Sequence, residues 1–239
     1  MQRRPEFARV RTALARSIHF RDLSAEDLDR LAELGRIRRL RDGESAASAG
    51  SRQQEIWIVL SGCLRMSSVT PTGREFVYAM LGPGGFYGIG SVLSNVETTV
   101  DSRAAGATSL IVMDGPQFIA LLDERRWLWR HVAKLLHRRL THAMTEVRDI
   151  SIAPLSQRIA RRLLGQAMSG GSDVSGDRQI DLRITQSDLG RMLGAGRSKV
   201  NVELKRLERD GLLKIGYRAI TLSDCMRLRE LAGPDVFAF

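Results

Sequence analysis

The sequence predicts an α+β chain: a small antiparallel β barrel or sandwich, then a long helix, then two short helices and a hairpin. Three observations carry this. Between Arg41 and Asp114 the short apolar runs EIWIVL, EFVYAML and SLIVM are punctuated by glycines at 43, 50, 62, 73, 82, 84, 85, 88, 90 and 106, the pattern of short strands divided by turns. Between Pro116 and Gly165 no glycine occurs, which permits a long helix. From Thr185 onward a capping pattern, a glycine turn, a basic amphipathic segment and an alternating hairpin follow one another.

The 239 residues suit one or two compact domains, with two favoured. A hydrophobic fraction of 43% beside 27% charged residues excludes disordered and collagen-like classes. No apolar run reaches membrane-spanning length, and the first twenty residues carry Glu6 and scattered arginines where a secretory signal would be apolar, so a cytoplasmic protein is expected. Cys63 and Cys225 belong to no CxxC or Cys/His spacing and are read as small packing residues, with no metal site indicated. The net charge of +10 points to nucleic acid or an anionic surface. Aromatic residues make up only 5% and are not spaced along basic strands, which disfavours a base-stacking sheet and leaves duplex DNA.

The segment from about Leu23 to Leu40 reads as a short amphipathic helix, opened by Ser24 with Asp27 and carrying Leu28, Leu31, Ala32 and Leu34. On the long helix Trp129, Leu136, Ala143 and Ile150 recur every seven residues, and Ala133, Leu140 and Val147 form a second series. Together they make an a/d seam of about three heptads, the signature of a parallel homodimer, with a core helix as the alternative. Leu128, Val132 and Leu135 form a second line that suits the barrel. Pro154 marks the helix boundary. A further helix starts at Ser156 and runs through Ile159, Leu163 and Leu164 to Gly170 and Gly171, followed by the linker SGGSDVSGDRQ.

Thr185 and Asp188 cap a helix whose apolar face is Leu189, Met192 and Leu193, and Gly194-Ala195-Gly196 supplies a tight turn. In the next helix Val200, Leu204 and Leu207 face the core, leaving Arg197, Asn201 and Lys205 elsewhere. This is helix-turn-helix geometry, in which the start of the second helix meets base edges. Arg197 is placed to donate twice to guanine and Asn201 to read adenine, while Lys199 and Lys205 suit phosphate. Ser198, Thr185 and Gln186 complete the candidate DNA-contacting set on these helices. Glu203 is awkward in such a helix, with Lys199 and Arg206 spaced to neutralise it. The run LLKIGYRAITL alternates like a hairpin, a wing with Arg218 free for phosphate. The plain alternative is an α-hairpin with strands used only for packing.

An enzyme is not expected. The glycines of GPGGFYGIG fit neither GxGxxG nor GxxxxGK[ST], and no metal-spaced cluster or nucleophile–base pair stands out.

The pieces VLSGCLRM, TPTGREFVYAMLGPGGFYG, RRLTHAMTEV, SQRIARRLL and ITQSDLGRMLGAGRSKVNVELKRLERDGLL resemble, in order and spacing, the Crp/Fnr superfamily of bacterial transcription regulators. The resemblance implies a jelly-roll sensor domain like cyclic-nucleotide-binding domains over residues 20–115, a dimerisation helix over 116–152 and a winged helix-turn-helix domain over 153–232. It implies duplex DNA, a second copy of the chain and RNA polymerase as partners, with no membrane. The expected function is a homodimeric regulator on a pseudo-palindromic site; the alternative is a ligand-binding module that docks on another protein.

Departures from the family bear on the signal. The cyclic-nucleotide pattern F-x-G-E-[LI] becomes Phe86-Tyr87-Gly88-Ile89-Gly90, so the ribose-binding Glu is Ile89. Counting back from Ala105, the phosphate-binding Arg-Ser pair falls on Thr99-Val100, with Arg103 nearby, and the base-contacting helix positions fall on Ala143 and Met144. The candidate pocket is Phe86, Gly88, Ile89, Thr99, Val100 and Met144, and control by cyclic AMP in the usual mode is not expected. Fnr-type iron–sulfur sensing needs four thiolates, against two cysteines here. His131, His137 and His142 are possible haem ligands but are read as solvated or interface histidines. No cofactor is predicted and the effector is left open. The family's R-E-x-x-x-R reader appears as Arg197-Ser198-Lys199-Val200-Asn201-Val202, so only the first arginine carries over.

Overall fold

Leu40, Trp57, Val59, Leu64, Leu110 and Val112 bury together in one core. Trp57 with Val59, and Leu110 with Val112, show the two-residue period that puts alternate side chains of a strand on one face. In a computed structural model, which describes residues 3–17, 19–169, 172, 174–176 and 178–233, this core lies in an antiparallel jelly roll. One four-stranded sheet has the order β1 (Arg36–Leu40), β8 (Thr108–Asp114), β3 (Glu55–Ser61), β6 (Phe86–Tyr87). The other has the order β2 (Ser45–Ala47), β7 (Asp101–Ala104), β4 (Leu64–Val69), β5 (Glu75–Leu81).

Strands β3 and β8 are buried on both faces, since Ile56, Ile58, Ile111 and Met113 are as inaccessible as the jelly-roll core. Helices cover that second face: α1 (Arg3–Arg16), α2 (Ala25–Leu34), α3 (Ile89–Ser94) and α4 (Gly115–Glu124). Ser24 caps α2 by accepting the Asp27 amide at 3.1 Å. Glu6 of α1 accepts the Ile37 amide at 2.6 Å, satisfying a backbone donor at the free edge of β1. Arg30 reaches Glu124 at 3.2 Å, and Arg125 bonds to Glu26, so α2 and α4 are tied at their surface. Phe20 meets Phe86 edge-on at 5.3 Å beneath these helices.

The long helix α5 (Trp127–Ile152) starts in this first unit, where Leu128, Val132 and Leu135 are buried. Further along the helix, most residues of the predicted seam lie open to water within one chain. Leu140, Val147 and Ile150 are 59%, 67% and 57% exposed, Ala133 and Ala143 are also exposed, and Trp129 and Leu136 are half-buried.

A second compact unit is built on Leu136–Met168 and the chain from Ser172. It contains α6 (Leu155–Ser169), β9 (Ile180–Leu182), α7 (Gln186–Leu193), α8 (Arg197–Arg209), β10 (Leu213–Gly216), β11 (Ala219–Leu222) and α9 (Cys225–Ala232). The three strands form one antiparallel sheet in the order β10, β11, β9. Ile159, Leu163, Leu189, Val200, Leu204, Leu222 and Leu228 are fully buried in this unit.

Several expectations need correction. The helix expected over Leu23–Leu40 ends at Leu34, where Gly35 turns extended, and Arg36–Leu40 pairs with β8 instead. The glycine-free stretch is not one helix: α4 stops at Glu124, and α5 begins at Trp127. Helices α1, α3 and α9 and strand β9 were not read from the sequence. Of the linker, Gly170, Gly171, Asp173 and Asp177 lie outside the described residues, as does the side chain of His142. Cys63 and Cys225 are both buried and are not joined in a disulfide. No helix among the described residues is long and apolar enough to cross a membrane.

Candidate nucleic-acid interface

Thr185 opens α7 by accepting the Asp188 amide at 3.0 Å and donating its hydroxyl to the Asp188 carboxylate at 2.6 Å. The cap fixes where the first helix starts. That hydroxyl is thereby committed within the helix, and Gln186 beside it is half-buried. The turn closes on Gly194, whose φ of 59° is the left-handed conformation that a side chain disfavours. A Cβ at Gly190 would lie 2.9 Å from the Ala195 carbonyl, so the return of the chain requires glycine there too. Helix α8 then starts at Arg197 from Gly196, which provides no side-chain cap.

Three residues anchor α8: Val200, Leu204 and Leu207 are at most 3% exposed. Their spacing places Ser198, Val202, Lys205 and Arg209 along the opposite, outermost line. Arg197, Ser198, Lys199, Lys205, Arg206 and Arg209 are exposed, and Asn201 is half-buried. The structure therefore brings Arg197, Ser198, Lys199, Asn201 and Lys205 together on one short helix. Glu203 is half-buried, with Arg206 at 4.0 Å as an ion-pair partner.

Two members of this surface were missed from sequence. Val202 is 65% exposed, although valine reads as a core residue. Tyr217 is 92% exposed at the tip of the wing, beside Arg218. The wing is β10 and β11 joined by the two residues Tyr217 and Arg218, with Gly216 opposite Ala219. Arg218 sits at φ 54°, in the positive-φ region that tight hairpin turns demand. Glu208 of α8 accepts the Ile215 amide of β10 at 2.7 Å, which fixes the wing against the helix. The i, i+4, i+7 spacing of Ser198, Val202 and Lys205 was the available signal for Val202; Tyr217 had none beyond its place in the hairpin.

Helix α6 supports this surface with charge. Arg158 donates to the Leu193 carbonyl at the end of α7, and Arg161 donates to the Ala232 carbonyl at the end of α9 at 2.6 Å. Gln157 donates to the same Ala232 carbonyl at 3.1 Å. Cations at helix C-termini meet orphan carbonyls and the negative end of the dipole. Arg161 also pairs with Asp149, and Arg162 with Glu146 at 2.6 Å, so the end of α5 is held by the same helix. Burial pulls the Arg162 guanidinium below its usual range, and Glu146 opposes that shift.

The pocket candidates are less concentrated. Phe86 packs outward on Phe20 and His19, whereas Tyr87 lies in the jelly-roll core, 6.0 Å from the Trp57 ring. The Tyr87 hydroxyl meets Thr98 at 2.9 Å. Gly88 caps α3 in a left-handed conformation, Ile89 is fully buried, Val100 is buried and Thr99 is exposed. Met144 is exposed on the part of α5 that belongs to the second unit. Arg103 is exposed on β7. His131 bonds through Nε2 to the His19 carbonyl, and His137 is exposed.

A cyclic nucleotide-binding domain model matches residues 37–125, and a Crp-like helix-turn-helix domain model matches residues 157–231. The chain belongs to the Crp/Fnr superfamily of transcription regulators. It is 28% identical over 210 residues to the HTH-type transcriptional regulator Cmr of Mycobacterium tuberculosis, covering 88% of this chain and 82% of that one. It is 25% identical over 213 residues to the cyclic AMP receptor protein of Thermus thermophilus, covering 89% and 95%. The solved structure of FixK2 from Bradyrhizobium japonicum matches with a TM-score of 0.68 at 21% identity, covering 84% of this chain and 98% of that one. As a Crp/Fnr protein, the chain carries its helix-turn-helix in α7 and α8 and its nucleotide-domain-like jelly roll in the first unit.

Proposed function

We propose that this Crp/Fnr protein is a homodimer that reads a pseudo-palindromic DNA site with two copies of α8. The observation that carries this is the basic outer face of α8, anchored from behind by Val200, Leu204 and Leu207. Arg197 is assigned to guanine, where a bidentate contact is worth about 1–3 kcal/mol of discrimination. Asn201 is assigned to adenine. Lys199, Lys205 and Arg218 are assigned to phosphates, which supply affinity and salt dependence without sequence. Ser198 and Gln186 are assigned to the backbone flank, where Thr185, its hydroxyl engaged by Asp188, is assigned the positioning of α7.

The dimer is assigned to the stripe Trp129, Ala133, Leu136, Leu140, Ala143, Val147 and Ile150. The exposure of Leu140, Val147 and Ile150 supports that choice, because three large apolar residues in line on one helix face are otherwise left in water. RNA polymerase is the expected further partner on DNA.

Relatives are named as cyclic-AMP-activated regulators. Control by cyclic AMP in the usual mode is not assigned to this chain, and its effector is left open. Buried Ile89 accepts no hydrogen bond from a ribose hydroxyl, and neither Thr99 nor Val100 supplies a guanidinium for a cyclic phosphate. The test is titration of promoter fragments with the full-length protein at several salt concentrations, with and without cyclic AMP. Saturable, sequence-selective binding that does not respond to cyclic AMP is the expected result. Equal affinity for all duplexes overturns the DNA assignment, and a large cyclic-AMP effect overturns the signal assignment.

A further inference from the structure

We infer that Val202 is a specificity-determining residue that packs against the 5-methyl group of a thymine in each half-site; the inference rests on the DNA-binding reading of α8. Among the apolar residues of α8, Val200, Leu204 and Leu207 are at most 3% exposed, whereas Val202 is 65% exposed. It lies in the outermost line of the helix, between Ser198 and Lys205, both exposed. Neither the core nor the helix accounts for it. A β-branched residue lowers helix propensity, and burial returns nothing at this position.

A major groove supplies what the core does not. The thymine methyl is the apolar group that the four base pairs present there, and small apolar side chains are its usual contacts. Valine cannot donate to guanine or adenine, and pressed against cytosine it would leave the N4 amino group without an acceptor. The reach of the helix limits the register. Five residues separate Arg197 from Val202, about 7.5 Å along the helix at ~1.5 Å per residue, and turn the two side chains about 140° apart around it. The thymine is therefore placed in the same half-site as the guanine assigned to Arg197, within a few base pairs of it.

The experiment begins with selection of bound duplexes from a random library by the full-length protein. In the selected site each thymine is then replaced, one position at a time, by deoxyuridine, which keeps O4 and base pairing and removes only the methyl. Affinities are measured at one fixed salt concentration for the wild type and for Val202→Ala, whose folding is checked by circular dichroism and sedimentation. For the wild type, one thymine per half-site is expected to lose about three- to fivefold in affinity without its methyl, as for one buried methyl group. In Val202→Ala the same replacement is expected to cost less than about 1.5-fold, the loss of coupling that a double-mutant cycle reads. Equal affinity for every deoxyuridine duplex, an unchanged methyl effect in Val202→Ala, or a half-site without thymine near that place overturns the inference while leaving DNA binding intact. A library that returns no preferred sequence contradicts the DNA-binding reading and the inference with it.

Discussion

Arg162 Nη2 lies 2.6 Å from the Glu146 carboxylate, joining α6 to the end of α5 with side-chain exposures of 10% and 35%. The pair couples the last turns of the proposed dimer helix to the helix that caps α7 and α9. Because the arginine is shielded, removing Glu146 takes a carboxylate away from a charge that little water can reach. Glu146→Ala is expected to lower stability by about 1–3 kcal/mol, below the fully buried case because the glutamate is partly solvated. Adding Arg162→Met is expected to recover much of that loss. Urea unfolding of both variants measures this, and a double variant no more stable than Glu146→Ala contradicts the coupling.

Leu140→Asp tests the stripe on α5. Leu140 is 59% exposed within one chain, so the protomer fold does not depend on it. In a dimer the substitution brings unpaired carboxylates into an apolar seam. Sedimentation is expected to show monomers with unchanged circular dichroism. A variant that sediments as an intact dimer places the interface elsewhere.

Arg197 and Lys199 are adjacent and exposed but are expected to fail differently. Arg197→Ala should cost about 1–3 kcal/mol at one base pair and relax preference there. Lys199→Ala should weaken all sequences alike and reduce the slope of log affinity against log salt by about one. Competition binding across single-base variants separates the two, and a uniform loss for Arg197→Ala removes it from base reading.

Burial, with Asp224 beside it, pushes the Cys225 thiol above its usual range. The folded state thus favours the neutral thiol. Its contribution to stability is present below the unfolded thiol value of about 8.5 and is lost as pH rises through the higher folded value. At pH 8, Cys225 is expected to resist alkylation in the native protein and to react once it is unfolded, as mass mapping of the modified cysteine reads. Native reaction at the rate of a free thiol contradicts the assignment.

Much of the second unit was legible because its signals are local. Thr185 and Asp188 form the predicted cap, and Val200, Leu204 and Leu207 are buried as their spacing requires. Arg36–Leu40 was misread because Ile37 and Leu40 also fit a helical spacing, and pairing with β8 decides the outcome. Helix α1 escaped notice since only Val10 and Leu14 of its apolar residues are fully buried, too few for a clear periodic signal. On α8 the basic residues were read by their charge, whereas Val202 was passed over because valine reads as core, although the spacing of Val200, Leu204 and Leu207 already turned it outward.

The central claim is that two copies of a cationic reading helix engage one DNA duplex at a set separation. Hydroxyl-radical footprinting of the full-length protein on its selected site measures this directly. Two protected tracts centred about 34 Å apart, roughly one turn of duplex, are the expected result. A single tract, or protection that spreads without register along the duplex, would contradict it.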